Sequence, residues 1–243
     1  MRRLFFAATA LAAALPAHAE WTGKSEAGLV FASGNTNTET ANARINMKYE
    51  TDKWKNTVGG AALYASDENG KTANRWQTFG ELGWKFTERN FLFGAGRYEE
   101  DEFSGFEYQT TLSGGVGRRF MDRPNTTMVG TVGAGYKFFE TRSSFDPVTG
   151  ELIEAGRSDS EVVFRGTLDF EHKLTATTSI TNKFITESGS DNTFMQNDIS
   201  LQVKMTDVLA LAVGYGVRHN SSPPPEFKKT DTLTTINLVY DIK

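Results

Sequence analysis

Apolar and polar residues alternate at period two through nearly all of this 243-residue chain beyond its first twenty positions. Ala41, Ala43, Ile45, Met47 and Tyr49 share one parity, with Asn42, Arg44, Asn46 and Lys48 between them. Trp76, Leu82, Trp84 and Phe86 stand opposite Arg75, Gln77, Glu81 and Lys85. Met195, Ile199, Leu201, Val203 and Met205 stand opposite Gln196, Asp198, Ser200, Gln202 and Lys204. A period of two is the signature of a strand with two different faces. It predicts twelve strands near 21–33, 39–50, 54–65, 73–86, 90–98, 106–121, 126–142, 160–172, 177–187, 194–205, 208–219 and 229–242. The connectors alternate in kind: short at 51–53, 87–89, 122–125, 173–176 and 206–207; longer and more polar at 34–38, 66–72, 99–105, 143–159, 188–193 and 220–228.

Long alternating strands with short turns at one end and long loops at the other form the pattern of a transmembrane β-barrel. In hydrocarbon every backbone N–H and C=O needs a partner within the protein, so a spanning sheet must close on itself. An even strand number puts both termini on the short-turn, periplasmic side. The expected fold is therefore an all-β, twelve-stranded transmembrane antiparallel barrel with periplasmic termini. Apolar residues would face lipid and polar ones the lumen, which reconciles 29 aromatic residues with a mean hydropathy of -0.42. Tyr49, Trp54, Trp84, Phe86, Phe91, Phe120, Phe170 and Tyr240 fall near the short turns. Phe31, Tyr64, Trp76, Phe106, Phe138, Phe184 and Phe194 fall near the long loops, so two interfacial belts are expected. Phe91 and Phe93 share one parity and Tyr98 takes the other, which predicts a bulge between them. A soluble β-sandwich or lipocalin-like barrel would have shorter strands and no such loop asymmetry.

Arg2 and Arg3, the apolar Leu4 to Leu15 and the small residues of Ala17-His18-Ala19 have the layout of a cleaved secretory signal, so residues 1–19 are expected to be removed and 20–243 to form the barrel. The longest later apolar run, Val208 to Val217, is too short for a spanning helix. With no cysteine there is no disulfide framework, thiolate metal site or Cys nucleophile. A formal charge of -4 gives no electrostatic footprint for nucleic acid.

Gly28 with Ser33-Gly34-Asn35-Thr36, Tyr98 with Asp101-Glu102-Phe103, Gly114-Gly115-Val116-Gly117, and Lys229-Thr230-Asp231-Thr232 leading to Leu238-Val239-Tyr240 resemble the salt-induced outer-membrane protein family. The resemblance runs through the mature chain in order. It implies an outer-membrane barrel of a Gram-negative bacterium, linked to osmotic or salt stress, and it supplies no catalytic or binding residues. Outer-membrane lipids, lipopolysaccharide and the barrel-assembly machinery are the expected partners. The final strand departs from the usual assembly signal, since Ile242 is not aromatic and Lys243 overhangs it.

Three features point toward chemistry. His219 and Ser221 have the spacing of a base and a hydroxyl on one strand face, with Asp231 or Glu226 to orient the imidazole, as in a lipid-modifying hydrolase; Pro223-Pro224-Pro225 argues instead for a loop. Glu99-Glu100-Asp101-Glu102 offers four carboxylates to a divalent cation or simply to solvent. Gly-rich segments such as Gly94-Ala95-Gly96 lack the following helix that a phosphate loop needs. Neither a cofactor nor a metal ion is expected. The larger signal is the lumen: parity turns Arg44, Lys48, Arg75, Lys85, Arg119, Arg165, Lys183 and Lys204 inward, together with Glu81, Glu107, Asp169, Glu171, Glu187 and Asp198. Mixed charge of this kind suits either a narrow passive pore or a salt-bridged structural interior, and the oligomeric state stays open. The leading expectation is a non-enzymatic envelope barrel. The alternatives are a hydrolase at His219/Ser221 and an adhesion or receptor barrel acting through the loop 143–159.

Overall fold

The computed structural model describes residues 21–32, 38–145, 149–223 and 228–242. Residues 1–19, where an export signal is expected, and Pro224, Pro225, Glu226 and Lys243 lie outside the described residues. Twelve strands close into one antiparallel barrel: β1 (Trp21–Ala32), β2 (Thr38–Glu50), β3 (Trp54–Asp67), β4 (Gly70–Lys85), β5 (Asn90–Asp101), β6 (Phe106–Arg123), β7 (Thr126–Thr141), β10 (Ser158–Lys173), β11 (Thr178–Ser188), β12 (Thr193–Lys204), β13 (Leu209–Asn220) and β14 (Thr230–Ile242). The two short strands β8 (Ser144–Phe145) and β9 (Leu152–Glu154) pair separately in the longest loop. The barrel closes where β1 meets β14, from Gly23–Ile242 to Ala27–Leu238, so the first and last strands meet at the short-turn end.

The faces are inverted relative to a water-soluble protein. Ile45, Leu82, Leu112, Val132, Phe164, Val213 and Ile236 stand exposed on the outer wall. Gln109, Thr131, Lys137, Glu187, Gln202 and Asn237 are buried inside. Closure lets the backbone groups of this wall pair strand to strand, so hydrocarbon can surround it without the several kcal/mol that each orphaned group would cost.

Four expectations are corrected. The ladder of β5 runs without a break from Asn90 to Glu99, and its irregularity falls between Glu99 and Asp101. Phe91 and Phe93 therefore point inward, buried, while Leu92 and Tyr98 point outward. The cause lies on neighbouring strands: the Phe91 ring occupies the space over Gly117 and Gly83, where a Cβ on Gly117 would come within 2.1 Å of it. Second, Phe106 and Phe194 are also buried rather than part of a belt. Third, the connector expected to be long at 66–72 is a tight hairpin in which β3 and β4 pair as far as Asp67–Gly70; the turn that Asp67-Glu68-Asn69-Gly70 spells in sequence does form, with Gly70 at φ +127° and Asp67 accepting a hydrogen bond from the Asn69 amide. Loop length is thus concentrated in the connections after β7 and β13. Fourth, a bulge at Phe106/Tyr108 carries Glu107 out of the lumen to the rim, where it pairs with Arg142 at 3.1 Å.

Candidate functional site

The lumen divides into two levels. Near the long-loop end, Arg97 and Glu99 of β5, Glu187 of β11 and Arg218 of β13 reach across the interior, each within a few residues of the end of its strand. Arg97 binds Glu187 at 2.5 Å and Glu99 at 3.2 Å, and Arg218 binds the other oxygen of Glu99 at 2.5 Å. Arg218 also approaches Asp101 at 3.8 Å, and Asp101 lies 4.0 Å from Arg75. Thr111 donates to Glu187 at 3.2 Å. The Phe194 ring sits under both guanidiniums, 4.9 Å from Arg97 and 5.1 Å from Arg218. Glu99 and Glu187 are each only 1% exposed. Lys137 is as deeply buried, held beside the Phe106 and Phe139 rings. Fixed forks of this kind hold opposed carboxylates in place across the interior.

Below this network lies a water-accessible cavity of about 410 Å³ that reaches Glu50, Arg119 and Glu171 toward the short-turn end. Its wall carries Arg44, Lys48, Lys55, Arg165 and Lys183 against Glu81, Asp169 and Asp198. Some of these are paired: Arg44 with Asp198 at 3.2 Å, Arg165 with Glu81 at 3.9 Å. Near the mouth, Glu50 takes both Lys85 and Arg119 at 2.6 Å, and Arg119 also holds Asp122 at 3.0 Å. Lys48 and Lys183 have no ion pair among the described residues. Lys55 lies over the Phe91 ring at 4.7 Å.

Of the candidates named from parity, Arg44, Lys48, Glu81, Arg119, Arg165, Asp169, Glu171, Lys183, Glu187 and Asp198 line this cavity. Arg75 joins the upper network, and Lys85 and Lys204 lie at the short-turn end. Parity reasoning missed Arg97, Glu99, Lys137 and Arg218. Lys137 stands between outward Tyr136 and Phe138, so its direction was readable. Arg97 shares the parity of Phe91 and Phe93, and assigning those rings to lipid hid it.

The other chemical signals disperse. His219 shares a hydrogen bond with Thr230 at 2.8 Å, while Ser221 accepts from the Thr193 amide and donates to Asn192. The imidazole and the hydroxyl thus have separate partners. The acidic run splits across the wall: Glu99 and Asp101 enter the lumen network, and Glu100 accepts from Trp76 and Tyr98 on the outer face. Glu102 accepts from Asn74 and Lys71 in the loop, bonds that hold its carboxyl below the usual range. No metal-binding cluster occurs among the described residues.

The barrel is similar to solved outer-membrane structures. The translocator domain of the autotransporter NalP from Neisseria meningitidis superposes with a TM-score of 0.52 at 10% identity, covering 93% of this chain and 89% of that one. An outer-membrane channel from Pseudomonas putida F1 gives 0.50 at 10% identity, covering 94% and 97%. These likenesses establish the fold alone. In sequence, the uncharacterized protein YdiY of Escherichia coli K12 is 24% identical over 223 residues, 90% of this chain and 82% of that protein. The model of the family described as "Protein of unknown function, DUF481" matches residues 25–242, and the chain belongs to that family.

Proposed function

We propose that this protein is a non-enzymatic barrel of the Gram-negative outer membrane that acts as a narrow passive pore, constricted by the network of Arg97, Glu99, Glu187 and Arg218. One observation carries the reading: a charge-lined cavity that extends toward the short-turn end lies against a layer of buried, mutually paired side chains. A barrel whose role is only structural has no need of solvated, unpaired lysines such as Lys48 and Lys183 below a dry plug. The lumen-lining residues Arg44, Glu81, Arg165, Asp169 and Asp198 would then set which small ions pass, and their mixed signs favour weak selectivity. Residues 1–19 serve as the export signal in this reading. Outer-membrane lipids and lipopolysaccharide surround the wall, and the assembly machinery inserts it. A part in salt or osmotic stress rests on the motif resemblance, and growth of a deletion strain at raised osmolarity tests it.

Planar-bilayer recording tests the pore. The wild type is expected to give small, brief conductance steps, and Glu99→Gln with Glu187→Gln larger and longer ones. Silence from both proteins would leave a purely structural barrel. One observation keeps the receptor alternative in view: the β8–β9 hairpin presents Leu152 and Ile153, 55% and 63% exposed, at the loop end.

A further inference from the structure

The outer wall is largely apolar, and on β11 its outward apolar residues, Ile180 and Phe184, are only half-exposed. Each of the other eleven barrel strands presents at least one large apolar side chain in the open; β11 presents none. Its outward parity, opposite to the lumen-facing Lys183 and Glu187, reads Thr178, Ile180, Asn182, Phe184, Thr186 and Ser188. Asn182 donates to Asn197 of β12 at 2.9 Å, and Asn197 shares the parity of the exposed Met195, Ile199 and Leu201. Each amide is the fifth residue of its strand, one counted from the short-turn end and the other from the long-loop end, so the pair lies near mid-membrane. Beside it, Gly166 of β10 pairs with Thr186, whose side chain covers the glycine, so both positions are small on this wall.

Hydrocarbon offers nothing to an amide. Among the described residues, the one bond between Asn182 and Asn197 leaves an N–H of Asn182, the Asn182 carbonyl and both N–H groups of Asn197 unused. Polar side chains at this depth are expensive unless another polar group meets them, and small residues allow two walls to approach closely. We infer that two copies of this chain associate through the outer wall of β10, β11 and β12, with the Asn182–Asn197 pairs of the two barrels meeting about a two-fold axis. A second copy is the fitting occupant because each amide carries both a donor and an acceptor. The patch is therefore complementary to itself, as a two-fold interface requires. Lipid tails or a wholly apolar partner would leave the same groups unused.

The absence of cysteine makes the test direct. The full chain carrying Thr186→Cys is reconstituted in lipid nanodiscs and oxidised, with Val58→Cys on the far wall, six strands away, as control. The inference expects a disulfide-linked dimer from Thr186→Cys and little from Val58→Cys. Mass photometry of the unmodified protein should show two barrels per particle. Asn182→Leu with Asn197→Leu should weaken association about tenfold or more, while heat-modifiable gel migration shows that the barrel still folds. Monomers in the bilayer, equal cross-linking at both positions, or a Thr186→Cys adduct of another protein's mass in native membranes would each overturn it.

Discussion

The two levels of the lumen use the same residue types for opposite ends. At the upper level, Arg97, Glu99, Glu187 and Arg218 are withdrawn from water and bound to one another. At the lower level, Lys48 and Lys183 stand beside Asp169 and Glu171 around solvent. A buried ion network is held by mutual compensation, so losing one member strands the others. A solvated charge keeps its hydration and contributes little to stability. On the pore proposed above, the upper level would then bear on stability and closure, and the lower level on the passage of ions.

The largest expected effect follows from that contrast. Glu99→Ala leaves Arg97 and Arg218 buried without their shared carboxylate. It should lower unfolding stability by about 3–5 kcal/mol in urea titrations on lipid vesicles. A loss below about 1 kcal/mol would place that level in water and erase the contrast. Next comes the wall: Leu112→Arg, on the exposed outer face, should cost about 2–4 kcal/mol in the same assay and reduce insertion. Gly117→Val should cost about 1–3 kcal/mol, because its new methyl groups meet the Phe91 ring; adding Phe91→Leu should recover part of the loss. The smallest effect on stability belongs to Lys183→Ala, within about 0.5 kcal/mol, accompanied by a shift of ion preference toward cations in bilayer recordings. If Lys183→Ala were as damaging as Glu99→Ala, the two levels would be one packed interior.

Most of the wall was legible in the sequence because a membrane barrel writes its faces residue by residue: Ile45 and Met47 against Arg44 and Lys48, or Leu201 and Val203 against Gln202 and Lys204. What escaped is non-local. That Phe91 turns inward depends on Gly83 and Gly117, which belong to two other strands and become its neighbours only through the pairing register. Arg97 and Glu99 were lost with it. Glu107 escaped because a bulge changes the face that strict alternation assigns. The network itself joins residues up to 119 positions apart, and no local pattern announces such a meeting.

Thiol labelling in cells separates the two levels most directly. Lys183→Cys and Lys137→Cys are each introduced into the cysteine-free chain and exposed to a charged maleimide on a hydrophilic polymer tail. The reagent is applied either to intact cells or after the periplasm has been opened. The account predicts that position 183 reacts only once the periplasm is open and that position 137 stays protected from that side. Equal reaction of position 183 in intact cells would contradict it, since the reagent would have crossed the level that Arg97, Glu99, Glu187 and Arg218 are held to close.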